Sequence, residues 1–204
     1  MKKLYLVTNS DKYNEEEFLE RIEGALKGGV DILQFREKDK SDVEILKIGA
    51  KVKALCDAYG VPLLIDDKPH LAWALGVGVH LGADDLPIDL GRKLLGKNAL
   101  IGATAKTVEA AQRAEKEGAD YLGVGAIYET KTRVKTKRTS VETLKEIKKN
   151  VGIEVYAIGG LNYDNIDILK DSGIDGICVV SAIMDSPNVE EETRKLKEKI
   201  NKIL

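Results

Sequence analysis

The chain has 204 residues, long enough for one domain with a full apolar core. Its 32 Lys and Arg against 34 Asp and Glu leave a net charge of −2, so no overall field draws it to nucleic acid or to a membrane surface. No apolar run approaches a membrane span, and Leu4-Tyr5-Leu6-Val7 is far too short for a secretory leader.

Cys56 and Cys178 stand alone without CxxC spacing and read as buried thiols. The expectation is a cytoplasmic protein with small-molecule substrates, acting neither on nucleic acid nor at a membrane. The sequence leaves room for a homo-oligomer.

Short runs rich in β-branched residues predict strands over 4–8, 30–35, 62–65, 77–81, 100–103, 121–125, 154–158 and 176–180. Segments with helical spacing and charged faces lie between them, clearest over 15–27, 41–59, 108–117, 141–149, 164–171 and 190–203. Strands apolar along their whole length are strands covered on both faces, as in a parallel sheet flanked by helices. Three junctions repeat one form, a helix tail, a Gly and a strand starting at or just after Asp: Gly28-Gly29-Val30-Asp31, Gly118-Ala119-Asp120 and Gly173-Ile174-Asp175. Gly there serves as a left-handed helix cap.

About eight such units predict an α/β fold, a single-domain (β/α)8 barrel spanning 1–204. An open doubly wound sheet is the alternative, but it gathers its polar motifs at one switch point. Here they follow nearly every strand.

In such a barrel the reactive groups sit at the C-terminal ends of strands. After the second strand comes Gln34-Phe35-Arg36-Glu37-Lys38-Asp39. Alternation puts Gln34, Arg36 and Lys38 on one side, where Arg presents a planar fork to phosphate oxygens and Lys a mobile point charge. A structural ion-pair layer, with Arg36 or Lys38 paired to Glu37 or Asp39, is the other reading. Asp66-Asp67 and Asp84-Asp85 follow the third and fourth strands. Carboxylates converging from two strands suit a hard cation such as Mg²⁺. Both pairs also precede a Pro in an ordinary helix-capping context, and one acid of each pair is expected to cap.

After the fifth strand, Thr107 is the natural helix cap and Thr104 a donor for a phosphate. After the sixth comes the long cationic segment 128–139, which reads as a lid over a polyanion. Gly159-Gly160 and Val180-Ser181 follow the seventh and eighth strands, where barrels commonly bind a monophosphate on backbone amides. His80 falls inside the fourth strand and is expected to hydrogen-bond within the barrel. Neither His70 nor His80 has a Ser or Cys partner at triad spacing.

Taken in order, these elements resemble the thiamine-phosphate synthase family over nearly the whole chain. The family's Gln-x-Arg-Glu-Lys stands as Gln34 to Lys38, its Asn-Asp as Asp66-Asp67, and its His-Leu-Gly-x-x-Asp as His80 to Asp85. Its Gly-x-Ser stands as Gly102-Ala103-Thr104, its Thr-x-Thr-Lys as Thr130-Lys131-Thr132-Arg133, and its Ala-Ile-Gly-Gly as Ala157 to Gly160.

The resemblance implies that Asp67 and Asp85 hold Mg²⁺ on the pyrophosphate of an aminopyrimidine substrate. Gln34, Phe35, Arg36, Glu37, Lys38, Asp66, Thr104 and Arg133 would line that substrate, with Arg36, Lys38 and Arg133 as catalytic cations. Thr130, Lys131, Thr132, Gly160, Val180 and Ser181 would hold a thiazole phosphate. The implied reaction expels pyrophosphate and joins the two rings as thiamine phosphate.

The chain departs from the family pattern where Asp66 replaces Asn, Thr104 replaces Ser and Arg133 replaces Lys, where Ala126 and Glu129 stand in place of the lid's prolines, and where the lid's glycine-rich exit is missing. Asp66 is expected to pair with Lys68 or to join the metal shell. Two rivals share the fold, a thiazole tautomerase and a non-catalytic sensor of phosphate ligands. Retention of Arg36, Lys38, Asp67 and Asp85 argues against both, and Lys106 argues further against the tautomerase, which is expected to carry a histidine there.

Overall fold

The computed structural model describes residues 1–129 and 138–204. The apolar runs form eight strands: β1 Lys3–Val7, β2 Ile32–Phe35, β3 Leu63–Asp66, β4 Gly78–Leu81, β5 Ile101–Ala105, β6 Tyr121–Gly125, β7 Glu154–Ile158 and β8 Gly176–Val179. Each pairs in parallel with the next and β8 pairs with β1, closing the (β/α)8 barrel.

Strand alternation divides the core in two. Leu4, Leu6, Leu33, Phe35, Leu63 and Ile65 point outward into the layer beneath the helices. Tyr5, Val7, Ile32, Leu64, Tyr121, Tyr156 and Cys178 fill the inside. The three tyrosines meet edge to face, with ring centroids 5.3 to 5.9 Å apart. Gly102 makes room for them, since a Cβ there would lie 2.0 Å from the Tyr121 ring.

The helices are α1 Glu15–Gly28, α2 Asp42–Tyr59, α3 Pro69–Leu75, α4 Ile88–Leu95, α5 Val108–Lys116, α6 Val141–Asn150, the single turn α7 Ser181–Met184, and α8 Val189–Ile203. Local chemistry starts them. Asn14, Thr107 and Ser140 cap α1, α5 and α6, while Ser41 and Glu44 form a capping box on α2. The helix expected over 164–171 is only a 3-10 turn, Ile166–Leu169. The side chain of Asn162 accepts the Asp164 N–H (2.9 Å) and that of Asn165 accepts the Asn162 N–H (2.9 Å), so local turns displace the helix ladder.

The repeated Gly-to-Asp junctions have one structural purpose. Gly29, Gly118 and Gly173 adopt positive φ of 100°, 100° and 75°, as expected of left-handed caps. The Asp that follows each reaches across to the neighbouring strand. Asp31, Asp120 and Asp175 accept the backbone N–H of Leu4, Ile101 and Val155 at 2.6, 2.7 and 2.8 Å. A cation closes each clamp: Lys197 on Asp31, Arg92 on Asp120 (2.7 Å) and Lys148 on Asp175 (2.7 Å). These clamps staple the N-terminal end of the barrel and leave the opposite mouth free for chemistry.

Candidate active site

The outer ends of β2, β3 and β4 bring together the residues singled out at those positions. In-register pairing sets Gln34 beside Leu64 and Asp66 beside His80, so every second residue points into the mouth. Gln34 Nε2 donates to Asp66 Oδ1 (2.8 Å). Lys38 Nζ lies 2.7 Å from Asp66 Oδ2 and also binds Asp67, while Arg36 Nε lies 3.6 Å from Asp66. Asp66 therefore pairs with Lys38 and Arg36. Lys68 turns away to Asp42 (2.7 Å), because its side chain starts on the helix side of the loop.

Arg36 and Lys38 pair across strands with Asp66 and Asp67. Glu37 faces the other way, where it accepts from Ser10 Oγ (2.9 Å) and Lys40 Nζ (2.6 Å). The Thr8 hydroxyl accepts the Arg36 N–H (3.1 Å). Thus Thr8 and Ser10, absent from the sequence expectations, shape the cationic loop from the end of β1.

The acids do not cap. The N-caps of α3 and α4 are Lys68 and Pro87, and neither helix has a side-chain cap bond. Asp67 instead holds φ at 59°, a left-handed conformation that costs a non-glycine residue on the order of 1–3 kcal/mol. Asp67 N donates to His80 O (2.9 Å), fixing the turn, and its carboxyl group stands near enough to that of Asp85 for each to perturb the other's ionisation. Asp85 also accepts the Gly82 N–H (2.6 Å), whereas Asp84 is exposed.

Two interacting carboxyl groups favour a state in which one proton serves both. Burial and the hydrogen bond to Asp67 push Asp85 up to about 6. Burial also acts to raise Asp67, but the hydrogen bonds from Asp85 and Lys38 outweigh it and hold Asp67 below its ordinary value. Asp66 is raised by burial and by the charge of Asp67, against the pull of Lys38 and Arg36. Its Oδ2 is buried with no aligned hydrogen-bond donor.

A divalent cation would relieve both strains, replacing the shared proton and facing the carboxylates from the mouth. Among the described residues no three or more His, Cys, Asp or Glu side chains converge as a self-sufficient metal cage. Mg²⁺ suits such a place, because it takes one or two carboxylates and fills its shell with water and phosphate oxygens.

Behind the acids, His80 binds Tyr121 Oη through Nδ1 (3.0 Å) and Thr104 Oγ1 through Nε2 (3.0 Å). Burial pushes its imidazole down to about 4. Thr104 thus borders the mouth and is tied to the barrel interior. Phe35 is not part of the mouth. Its ring is buried against Phe18 at 6.0 Å between centroids, because an odd position on β2 must face the helices.

On the far side, Gly159 and Gly160 have φ of 104° and 65°. A Cβ on Gly160 would sit 2.7 Å from Tyr128 Cβ and 2.9 Å from Glu129 O, so the close approach here is to the segment leaving β6. Val180 and Ser181 start α7 beside them, with Ser181 exposed. The first-turn N–H groups of a helix have no intrahelical partner. Thr130, Lys131, Thr132 and Arg133 lie outside the described residues. The segment returns to the barrel at Thr139, whose Oγ1 donates to Gly125 O (3.0 Å).

A closed (β/α)8 barrel with paired acids and cations at its C-terminal mouth has the make-up of a phosphate-handling enzyme. The thiamine monophosphate synthase family model matches residues 4–183. A thiamine-phosphate synthase of Streptococcus pneumoniae is 44% identical over 203 residues, 99% of this chain and 97% of that one. One from Methanobrevibacter smithii is 44% identical over 186 residues, 91% and 88% of the two chains. Among solved structures, the thiamine phosphate pyrophosphorylase of Pyrococcus furiosus superposes with a TM-score of 0.88 at 36% identity, covering 99% of this chain and 96% of that one. The chain belongs to the thiamine monophosphate synthase family.

Proposed function

We infer that this chain condenses hydroxymethylpyrimidine pyrophosphate with thiazole phosphate, releasing pyrophosphate and thiamine phosphate. The observation that carries the reading is the group of Asp67, Asp85, Lys38 and Arg36 at one mouth, in a chain of this family. Asp67 and Asp85 would hold Mg²⁺, which when bound supplies positive charge to the leaving pyrophosphate.

Lys38 and Arg36 meet the negative charge that grows as the bond to the pyrimidine methylene breaks, and Arg133 would join them. The chemistry is dissociative: the pyrophosphate leaves with the bonding electrons and the thiazole nitrogen then attacks the methylene carbon. Little acid–base machinery is needed, in keeping with a neutral His80 tied to two hydroxyls. Gln34, Asp66 and Thr104 would line the pyrimidine, whereas Phe35 serves from behind as packing. Thr130, Lys131, Thr132, Gly160, Val180 and Ser181 would hold the thiazole phosphate.

A turnover assay with both substrates, with and without Mg²⁺, tests this. Mg²⁺-dependent formation of pyrophosphate and thiamine phosphate in equal amounts is the expected result. A folded protein that binds thiazole phosphate yet forms neither product would contradict it and favour the tautomerase or the sensor.

A further inference from the structure

We propose that Tyr5, Tyr121 and His80 are positioning residues: a one-way hydrogen-bond chain through them holds His80 as its Nδ1–H tautomer and turns the lone pairs of the Thr104 hydroxyl toward the mouth.

The chain starts at Asp66. With Lys38 Nζ at 2.7 Å and Arg36 Nε at 3.6 Å, this carboxylate is an acceptor, so the Gln34 group 2.8 Å from Oδ1 is its amide nitrogen. The Gln34 oxygen must then face Tyr5, and the Tyr5 hydroxyl, at 2.9 Å, donates to it. Tyr5 Oη lies 2.7 Å from Tyr121 Oη, a separation that requires a proton between the two oxygens. Tyr5 has spent its own proton, so Tyr121 supplies that one. Tyr121 in turn can only accept from His80, which places the imidazole proton on Nδ1. The bare Nε2 accepts from Thr104 Oγ1 at 3.0 Å.

Four contacts are served by four protons, one each from Tyr5, Tyr121, His80 and Thr104, and fixing the Gln34 end leaves a single arrangement. A second imidazole proton would release the Thr104 hydrogen, but both ring nitrogens face uncharged hydroxyls inside the barrel, and no anion among the described residues bonds either one to hold an imidazolium. The barrel interior is shaped for this path. Gly102 admits the Tyr121 ring, and a Cβ on Gly123 would come within 3.3 Å of His80 Cε1.

At the mouth, the consequence reverses the expectation that Thr104 donates to a phosphate. Its hydrogen is spent on His80, so a ligand group seated on Thr104 must itself donate, as an amino N–H does and a phosphate oxygen does not. That last step rests on the proposed substrate binding, whereas the proton order does not.

The test is ¹⁵N-detected histidine NMR on the labelled, ligand-free protein. The chain has only two histidines, and His70 is exposed beside Asp42, so the imidazole signals that remain in a His70→Gln variant are those of His80. The expected spectrum shows a protonated Nδ1 and a bare Nε2. An Nε2–H tautomer, the form a free neutral histidine favours, or an imidazolium at neutral pH would overturn the proposal. Tyr5→Phe, which cuts the link between Gln34 and Tyr121, should convert His80 to a mixed or Nε2–H form. An unchanged Nδ1–H signature in that folded variant would also overturn it. Neither readout depends on turnover, so a failed activity assay leaves the inference intact.

Discussion

At the N-terminal end of the barrel, Asp31, Asp120 and Asp175 each accept a backbone N–H from the neighbouring strand and face one cation. At the other end Asp67 stands between Asp66 and Asp85, and Lys38 serves both Asp66 and Asp67, with one buried oxygen lacking an aligned donor and one backbone in a left-handed turn. The same residue type serves as a staple below and is held under strain above. A carboxylate whose one oxygen already holds a backbone N–H and a cation is committed to holding the fold. Carboxylates that crowd each other are not, and a cation bound between them would release that strain.

The largest effect expected from breaking this contrast is at the mouth. Asp67→Ala or Asp85→Ala should lower Mg²⁺-dependent turnover by on the order of 10²–10³-fold, comparable to losing a principal charge-stabilising group, with Tm unchanged or raised. Steady-state kinetics beside calorimetry checks both halves.

The bottom should answer in the opposite way. Asp120→Ala strands the Ile101 N–H and removes the carboxylate that Arg92 pairs with, leaving the guanidinium on the Ala99 and Gly118 carbonyls, and should cost about 1–3 kcal/mol. In a chain of this size each kcal/mol corresponds to roughly 2–4 °C of Tm. Turnover per folded molecule should stay at the wild-type value.

A smaller effect isolates the strain. Asp67→Gly relieves the positive φ and removes one of the crowded carboxyls, so the apo protein should gain about 0.5–1 kcal/mol while turnover is lost. A denaturant titration that finds it less stable than the wild type would show that φ at this turn carries no strain.

The smallest effect is on pH dependence. Asp85 is raised to about 6, above its unfolded value, so between about pH 4 and pH 6 the folded metal-free state binds more protons than the unfolded one. Its contribution is therefore fully present below about pH 4 and is lost as pH rises through 6. Mg²⁺ opposes that loss by replacing the proton, so the Tm gain on adding Mg²⁺ should be larger at pH 7 than at pH 5. An equal gain at both would separate the metal from this carboxyl pair.

Much of this contrast was legible in the sequence. The eight strands and the Gly-to-Asp junctions follow from periodicity and from Gly at left-handed caps, both local rules. The placement of Gln34, Arg36 and Lys38 on one side followed from strand alternation, and the same rule applied to Phe35 would have turned it to the helices. The short helices α3 and α4 were marked in the sequence only by the helix-capping context before Pro69 and Pro87, and by no clear apolar face. α3 has seven residues, and α4 leaves Leu90 and Leu94 each 42% exposed, so its apolar face does not mark a core.

The Lys38 partner of Asp66 and the Ser10 partner of Glu37 could not be read locally, because each reaches across strands. Thr8, Tyr5 and Tyr121 were passed over for the same reason. A polar tip on an apolar strand reads as core until the barrel closes and brings three hydroxyls and an imidazole together.

The most direct measurement sets Asp67→Ala beside Asp120→Ala, recording for each the Mg²⁺-dependent kcat per folded molecule and the Tm. The account predicts opposite outcomes, with turnover lost and Tm kept for Asp67→Ala, and turnover kept and Tm lowered for Asp120→Ala. If both variants lost stability and activity together, the two ends of the barrel would not divide the work as described.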